Sequence, residues 1–364
     1  MRYFVLAVAC LCANFSLTFA QIPQKKLIEF GWDEPNTAFM RKHIAEMEKT
    51  PFDGTVFDMT FKADDGSMQN YVWHCWSTRA FKESDFQHAI DDLKNTPLKK
   101  FTHNFLRFNT SPGNVDWFDD AAYPAIVNNA RLAAKIAHDG KAAGILFDDE
   151  HYNEPLFNYA KARHAKTKSF DEYAAKARQR GREVMNAFQE GFPDVHIILT
   201  FGHTLPHAQA GPDRAKLAQV DYGLLAPFLD GMFDAATGKA KIVDGFEISY
   251  GYKTPAEFDA IKPLIESSVM KIVGSPDKFR QHSSLGFGLW MDNDWRNKAW
   301  DEKDFSKNHF TPQQFEASLR KALATADDYV WIYTETPRWW TAAGGRPEKL
   351  PAEYDQAVRR AVGK

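Results

Sequence analysis

Short apolar runs rich in β-branched and aromatic residues alternate along this chain with longer stretches whose apolar residues recur at helical spacing. Each short run has the length of a buried strand. The runs predict eight strands, at Lys26 to Trp32, Gly54 to Met59, Phe101 to Phe108, Ala143 to Asp148, Val195 to Phe201, Val243 to Tyr250, Leu285 to Met291 and Tyr329 to Thr334.

The longer stretches predict eight helices between and after these strands. They lie at Thr37 to Lys49, Ser84 to Lys94, Tyr123 to His138, Phe170 to Gly191, Lys216 to Phe233, Pro255 to Lys271, Pro312 to Ala326 and Ala352 to Val362. Two of them begin with a threonine followed by proline, which suits a helix cap and the first helical turn.

Alternation of eight strands with eight helices predicts an α/β fold, a (β/α)8 TIM barrel. Right-handed crossovers place the helices outside, and eight parallel strands are enough to close the sheet. A doubly wound open sheet is the alternative. No glycine-rich phosphate-binding sequence follows the first strand, so the barrel is favoured.

The N-terminal segment has the features of a secretory signal. Arg2 precedes an apolar run that is too short for a membrane span, and Thr18-Phe19-Ala20 is typical of a cleavage site. We therefore expect residues 1–20 to be a signal peptide and residues 21–364 to form one barrel domain with long loops. We expect a secreted or periplasmic protein with no membrane span, in which Cys75 is the only cysteine and no intrachain disulfide forms.

Charge and histidine spacing narrow the function classes. Lys and Arg number 45 against 48 Asp and Glu, a net charge of −3, and no basic stripe of the kind that binds nucleic acid is present. The histidines form neither His-x-His on the first strand nor His-Glu-x-x-His. We expect a monomer without metal or cofactor that takes a neutral or mildly polar substrate.

In a barrel of this kind, chemistry lies where the strands end and the loops into the helices begin. The predicted ends carry polar or aromatic groups that we expect to contact substrate. These are Asp33, Asp58, Asn109, Asp149, His203, Tyr250, Trp290 and Asp292.

The fourth strand runs without a break into Asp148-Asp149-Glu150. Apolar surroundings make a carboxyl group costly to ionise, and neighbouring carboxylates push their pKa values apart, which is how an acid/base site is built. The alternative is that the triplet caps the next helix and meets solvent. Similar groups at other strand ends favour the catalytic interpretation.

The chain contains ten tryptophans, and all except Trp331 fall at a predicted strand end or in the loop after it. An indole stacks on the C–H face of a sugar ring while its N–H stays free for a hydroxyl. We therefore expect Trp339 and Trp340, together with Tyr250 and Trp290, to shape sugar subsites. The alternative is that long loops need small hydrophobic clusters of their own.

The stretch from Ala143 to Glu150 resembles the fourth-strand motif D-G-x-D-x-D-x-E of family 18 chitinases and endoglycosidases, within the wider superfamily of barrel glycoside hydrolases. Gly144, Asp148 and Glu150 match the motif, whereas Ala143 and Leu146 replace its first two acids. The resemblance implies that Glu150 is the proton donor. The two replaced acids leave assistance by a substrate acetamido group in doubt.

Glycoside hydrolysis needs a second carboxyl group, and two residues are candidates. Glu335 ends the eighth strand, with Arg338 close enough in sequence to pair with it and favour the ionised form. Glu247 lies within the predicted sixth strand and, if it points inward, is either a catalytic or a satisfied structural acid.

We interpret the chain as a secreted glycoside hydrolase. Glu150 would act as the acid/base with Asp148 tuning its pKa, and Glu335 or Glu247 as nucleophile or base. The alternative is a barrel that binds carbohydrate without cleaving it. A barrel lyase or metal-dependent hydrolase is a third possibility.

Overall fold

The computed structural model describes residues 25–32, 34–341, 344 and 347–363. The predicted signal peptide and Asp33 lie outside these residues. The strands are β1 Lys26–Gly31, β2 Gly54–Phe57, β3 Phe105–Asn109, β4 Gly144–Asp148, β5 His196–Leu199, β6 Lys241–Asp244, β7 in two segments, Ser283–Leu285 and Phe287–Trp290, and β8 Tyr329–Thr334.

All neighbouring strands of this sheet are parallel. The first segment of β7 pairs with β6, and the second segment pairs with β8. Gly286 separates the two segments and donates its N–H to the Asp244 carbonyl at 2.8 Å. Because β8 also pairs with β1, the sheet closes on itself, and the predicted (β/α)8 barrel is confirmed.

The helices are α1 Thr37–Met47, α2 Gln87–Asn95, α3 Tyr123–Asp139, α4 Phe170–Gly191, α5 Thr204–Ala210, α6 Leu225–Ala235, α7 Pro255–Asp259, α8 Ile261–Ser267, α9 Pro276–His282, α10 Trp295–Lys298, α11 Pro312–Thr325 and α12 Ala352–Ala361. Thr311 caps α11 by accepting the Gln314 N–H at 3.3 Å, as its sequence predicts. In the described ranges, no helix has both the length and the apolar character needed to cross a membrane.

The sixth strand is shorter than predicted. It ends at Asp244, and Glu247–Gly251 forms a 3-10 turn instead of continuing the strand. The Asp244 carboxylate accepts the Phe246 N–H at 3.0 Å, and Phe246 takes a left-handed conformation with φ 49°. A side chain that captures a nearby backbone N–H competes with sheet pairing, so Glu247 lies in a loop and not within a strand.

The predicted helices at Lys216 to Phe233 and Pro255 to Lys271 are each interrupted. The first becomes a 3-10 turn at Arg214–Gln219 followed by α6, and the second becomes α7, α8 and a turn at Val269–Lys271. Helical spacing of apolar residues persisted across these breaks in the sequence, so periodicity alone did not reveal them. The short helices α5, α9 and α10 were not predicted.

Two apolar layers hold the barrel together. The inside of the barrel is filled by a cluster of side chains from seven of the eight strands, all but β7. Trp331 of β8 belongs to this cluster. The Trp331 indole donates to the Gly245 carbonyl at 2.8 Å, and a Cβ on Gly288 would stand 2.6 Å from its ring. The second layer packs between the strands and the helices. The interior is thus a packed core, as expected of this fold.

Cys75 is the one cysteine among the described residues, and it is fully buried. Its Sγ lies 3.1 Å from the Asn109 carbonyl oxygen. Burial raises the pKa of the thiol to about 12.

Gly144 provides a test of barrel packing. A Cβ at this position would stand 1.8 Å from the His196 carbonyl oxygen of β5, and the next two nearest atoms, His196 C and N, are also backbone, which cannot move aside as a flexible side chain can. We expect Gly144→Ala to lower the free energy of unfolding by about 3 kcal/mol or more, measured by chemical denaturation. In Gly344→Ala the new methyl group meets nothing within 4 Å, so this control should change stability by less than about 0.5 kcal/mol. Equal stabilities for the two variants would contradict the close β4–β5 packing.

Candidate active site

A pocket of about 590 Å³ opens at the C-terminal mouth of the barrel. Every strand, or the residues directly after it, contributes to its wall. In strand order these contributions include Phe30, Asp58, Arg107, Glu150, Thr200, Glu247, Trp290 and Tyr333. Closure of the sheet therefore gathers residues that lie hundreds of positions apart in the chain.

Six residues named from the sequence line this pocket. They are Asp58, Glu150, Glu247, Tyr250, Trp290 and Glu335. Asn109, Asp148, Asp149 and Asp292 are buried below or beside it. Asp33 lies outside the described residues.

Glu150 and Glu247 form the centre of the site, because their side chains are hydrogen-bonded to each other. Burial, with the nearby Glu150 and Asp148 carboxylates, raises the pKa of Glu247 well above its usual range. Burial and the Asp148 carboxylate also raise the pKa of Glu150, but the hydrogen bond with Glu247 and the positive charge of Arg107 oppose that shift. The neighbours of Glu247 thus favour its protonated form, whereas Glu150 also has neighbours that favour its carboxylate.

Arg107 supplies positive charge beneath this pair. Its guanidinium donates to Glu34 at 2.8 Å, to Asp148 at 2.5 Å and to the Asn109 side chain at 3.0 Å. Buried ions of this kind need partners on every side, and the two carboxylates raise the pKa of Arg107 further above its ordinary value. Arg107 thus joins the ends of β1, β3 and β4 at the pocket floor.

Asp148 and Asp149 face in different directions. Asp148 accepts from Arg107 and from the Tyr152 hydroxyl, the latter at 2.9 Å, so it lies at the floor next to Glu150. Asp149 is fully buried and accepts from the Thr200 hydroxyl at 2.7 Å and the Phe201 N–H at 3.1 Å. Asp149 joins β4 to β5, and its side chain does not line the pocket that we predicted it to serve.

Asp58 is a third acid with a raised pKa. Burial is the main cause, the Glu34 carboxylate adds to it, and Arg107 opposes it. Asp58 is 5% exposed and lines the pocket. A protonated carboxyl group here is able to donate a hydrogen bond to a ligand oxygen.

Glu335 is held differently from the sequence-based expectation. Arg338 donates its Nε–H to the Glu335 backbone carbonyl at 3.2 Å, and the ion pair with the carboxylate is made instead by Arg296 at 2.8 Å. The Trp295 indole donates to the same carboxylate at 2.6 Å. Asp292 accepts the Glu335 N–H at 3.1 Å, and burial raises the pKa of Asp292 to about 6. Asp292 therefore positions Glu335 from behind.

Aromatic rings form much of the pocket wall. Tyr250 stacks on Tyr333 with centroids 5.5 Å apart and meets Trp290 edge-on at 5.7 Å. On the opposite side Trp73 meets Tyr152 edge-on at 5.4 Å. Trp73 follows a two-stranded hairpin, Thr60–Lys62 and Met68–Asn70, in the loop after β2.

Three residues predicted to contact substrate lie elsewhere. His203 is 2% exposed and pairs with Asp230 of α6 at 3.0 Å, on the outer flank of β5. Trp339 and Trp340 are each 1% exposed and pack on Phe52 and Phe101 between the barrel and its outer layer. Their loop turns back into the core, so the prediction that they shape subsites is wrong.

Glu34, Arg107, Tyr152 and Arg296 are among the residues of the site to which the sequence assigned no role. Glu34 and Arg107 stand at predicted strand ends, so their position was a usable signal. Tyr152 directly follows the acidic triplet. Arg296 lies within a long loop, and no pattern in the sequence connects it with Glu335.

The arrangement is suited to proton transfer and to attack by a carboxylate. It combines two adjoining acids with raised pKa values, a buried cation and aromatic walls. Within the part of the chain that the structure describes, no group of three or more His, Cys, Asp or Glu side chains is arranged to hold a metal ion.

No protein-family model matches the chain, and no curated protein matches it. Solved structures similar to it include active domain 2 of a thermostable chitinase from Pyrococcus furiosus, with 10% identity, a TM-score of 0.43 and coverage of 94% of this chain and 96% of that one. A family 5 xyloglucanase from Bacteroides ovatus has 11% identity, a TM-score of 0.47 and coverage of 94% and 75%.

A broad-specificity family 5 endoglucanase from Clostridium acetobutylicum has 9% identity, a TM-score of 0.47 and coverage of 94% and 97%.

The raised pKa of Glu247 predicts a pH-dependent effect of Glu247→Gln on stability. The Glu247 carboxyl group binds its proton more tightly in the folded state than in the unfolded state, in which its pKa is near 4.5. Wild-type stability is therefore lost as the pH rises from about 4.5 through the folded-state pKa. Glutamine carries no charge, so we expect the variant to be the more stable protein at pH 8 and the difference to vanish below about pH 4.

Denaturant titrations at both pH values measure this difference. Glu353→Gln, on the exposed face of α12, is the matched control and should leave stability unchanged at either pH. A stability gain of the same size at pH 4 and pH 8 would assign the effect to packing and contradict the proposed protonation of Glu247.

Proposed function

We propose that this protein is a glycoside hydrolase that cleaves neutral sugars with retention of configuration, using Glu150 and Glu247 as its two carboxyl groups. The observation that carries the proposal is their hydrogen bond at the floor of an aromatic-walled pocket. Carboxyl groups in direct contact lie nearer to the roughly 5 Å separation of retaining enzymes than to the roughly 6.5–9.5 Å of inverting ones.

The roles follow from the position of the shared proton. Glu247 holds it in the resting protein and acts as the general acid. Glu150 accepts hydrogen bonds and lies near Arg107, whose positive charge favours the carboxylate, so it acts as the nucleophile. In this assignment Glu150 is the nucleophile, whereas the sequence resemblance implied that it is the proton donor.

In the first step, the Glu150 carboxylate attacks the anomeric carbon while Glu247 gives its proton to the glycosidic oxygen. The bond between the anomeric carbon and that oxygen breaks, the alcohol leaves, and a glycosyl ester remains on Glu150. Water then attacks the same carbon and gives a proton to Glu247. The ester bond breaks, and both acids return to their starting state.

The walls and charges of the pocket favour a neutral sugar. Five acids and two arginines line it, but raised pKa values keep the proton on Asp58 and Glu247. With Asp148, which bonds to Arg107 at the floor, four carboxylates face two guanidinium groups. This negative surplus disfavours an anionic substrate. Trp73, Tyr250 and Trp290 offer faces for sugar rings.

Glu335 has a supporting role in this proposal. Its carboxylate is already bonded to Arg296 and Trp295, so it is less free to attack than Glu150. We assign it to holding sugar hydroxyls together with Arg296. The predicted cleavage after Ala20 would deliver such an enzyme to the compartment in which polysaccharides are met.

Hydrolysis of a panel of neutral oligosaccharides and aryl glycosides tests the proposal. We expect Glu247→Gln to lower kcat about 10²- to 10⁴-fold on natural glycosides and much less on 2,4-dinitrophenyl glycosides, whose leaving group needs no proton. Glu150→Gln should abolish turnover of both. Glu353→Gln should behave as the wild type.

The outcomes separate the candidate functions. If the wild type binds glycans and cleaves none, the protein is a non-catalytic carbohydrate-binding barrel. If a chelator removes the activity, the reaction is metal-dependent. An inverted anomer as the first product, measured by NMR, would contradict Glu150 as nucleophile.

A further inference from the structure

A second cavity adjoins the candidate active site. It has a volume of about 690 Å³ and shares Trp32, Arg296 and Glu335 with the pocket that holds the acid pair. Because the same three side chains line both spaces, the two spaces adjoin each other at the loops after β1, β7 and β8. A single sugar unit occupies only a part of such a space.

Trp32 stands at the junction of the two spaces. Its side chain is 63% exposed, the largest exposure among the large apolar residues described. Its indole N–H donates to the Tyr333 hydroxyl at 2.8 Å, which fixes the orientation of the ring. An exposed indole that is already held in one orientation offers a flat face to a ligand. Because the ring is already ordered, binding costs little side-chain entropy.

Two further tryptophans line the second cavity. The Trp295 indole donates to Glu335, and the Trp300 indole donates to the Lys349 carbonyl at 3.0 Å. Trp300 also contacts Tyr354, with ring centroids 4.8 Å apart. Three indoles therefore line the second cavity, each with its N–H already engaged and each partly open to solvent.

The loop that carries Trp295 and Arg296 has an unusual backbone. Asp294 and Ala299 flank α10 with φ values of 65° and 61°, in a region that residues other than glycine seldom adopt. Strained conformations of this kind persist where the surrounding structure holds a binding site in place. The strain here lies directly at the junction of the two spaces.

The charges of the second cavity are balanced. Glu302, Glu335 and Glu348 face Arg296, Arg338 and Lys349. Such a surface attracts neither anionic nor cationic chains strongly, whereas alternating donors and acceptors suit the hydroxyl groups of a neutral sugar.

We propose that the second cavity is a set of additional sugar subsites, so that the enzyme acts on chains of several neutral units and binds short fragments poorly. This inference rests on the proposed function and specifies its substrate class. Trp300 is the specificity-determining residue, because it lines only the outer space and contacts none of the acids of the inner pocket.

Calorimetric binding to the Glu150→Gln protein tests this inference without turnover. The probes are dimers and hexamers of cello-, xylo-, manno- and chito-oligosaccharides. We expect at least one hexamer to bind roughly tenfold more tightly than its dimer, the size of one good aromatic contact. Adding Trp300→Ala should remove this difference and leave dimer affinity unchanged, whereas Trp300→Phe should keep most of it.

Each other outcome overturns the inference in a recognisable way. If dimers and hexamers bind alike while the wild type still cleaves glycans, the outer space is not a subsite and the proposed function stands. If Trp300→Ala weakens dimers and hexamers equally, the residue supports the inner pocket instead. If no sugar of any length binds and none is cleaved, the proposed function fails together with the inference.

Discussion

Burial of several carboxyl groups around one small space is the constraint on which this site depends. Each acid in the pocket is withdrawn from water, and each lies close to another acid, so the full set of negative charges would be unstable. The protein meets this cost in two ways. Arg107 pairs with both Glu34 and Asp148, and Arg296 pairs with Glu335, while raised pKa values favour the protonated forms of Asp58 and Glu247.

The fold makes this crowding possible. In a closed parallel sheet all strand ends meet at one mouth, so Glu150 after β4 and Glu247 after β6 come into contact although nearly a hundred residues separate them. The strand ends are rigid, because Trp331 and its neighbours fill the barrel below them. The aromatic walls arise mainly from loops, which vary without disturbing the strands.

The sequence predicted the barrel because strand and helix periodicities alternated eight times, and the position of Glu150 followed from the end of β4. Three features of the structure could not be predicted from the sequence. Capture of the Phe246 N–H by Asp244 ended β6 early, which turned Glu247 from a strand residue into a loop residue. Trp339 and Trp340 follow a strand end, but their loop folds inward. The pairing of Glu335 with Arg296 depends on a loop conformation that no local pattern encodes.

The buried Cys75 thiol is a chemical probe for local opening of the structure around it. Its thiol lies against the Asn109 carbonyl at the end of β3, and with a pKa of about 12 it stays protonated and unreactive at neutral pH. A thiol-specific reagent reaches it only when the loop that carries Cys75 opens away from the end of β3. The rate of modification of this sulfur therefore reports how often that loop opens, independently of any catalytic assay.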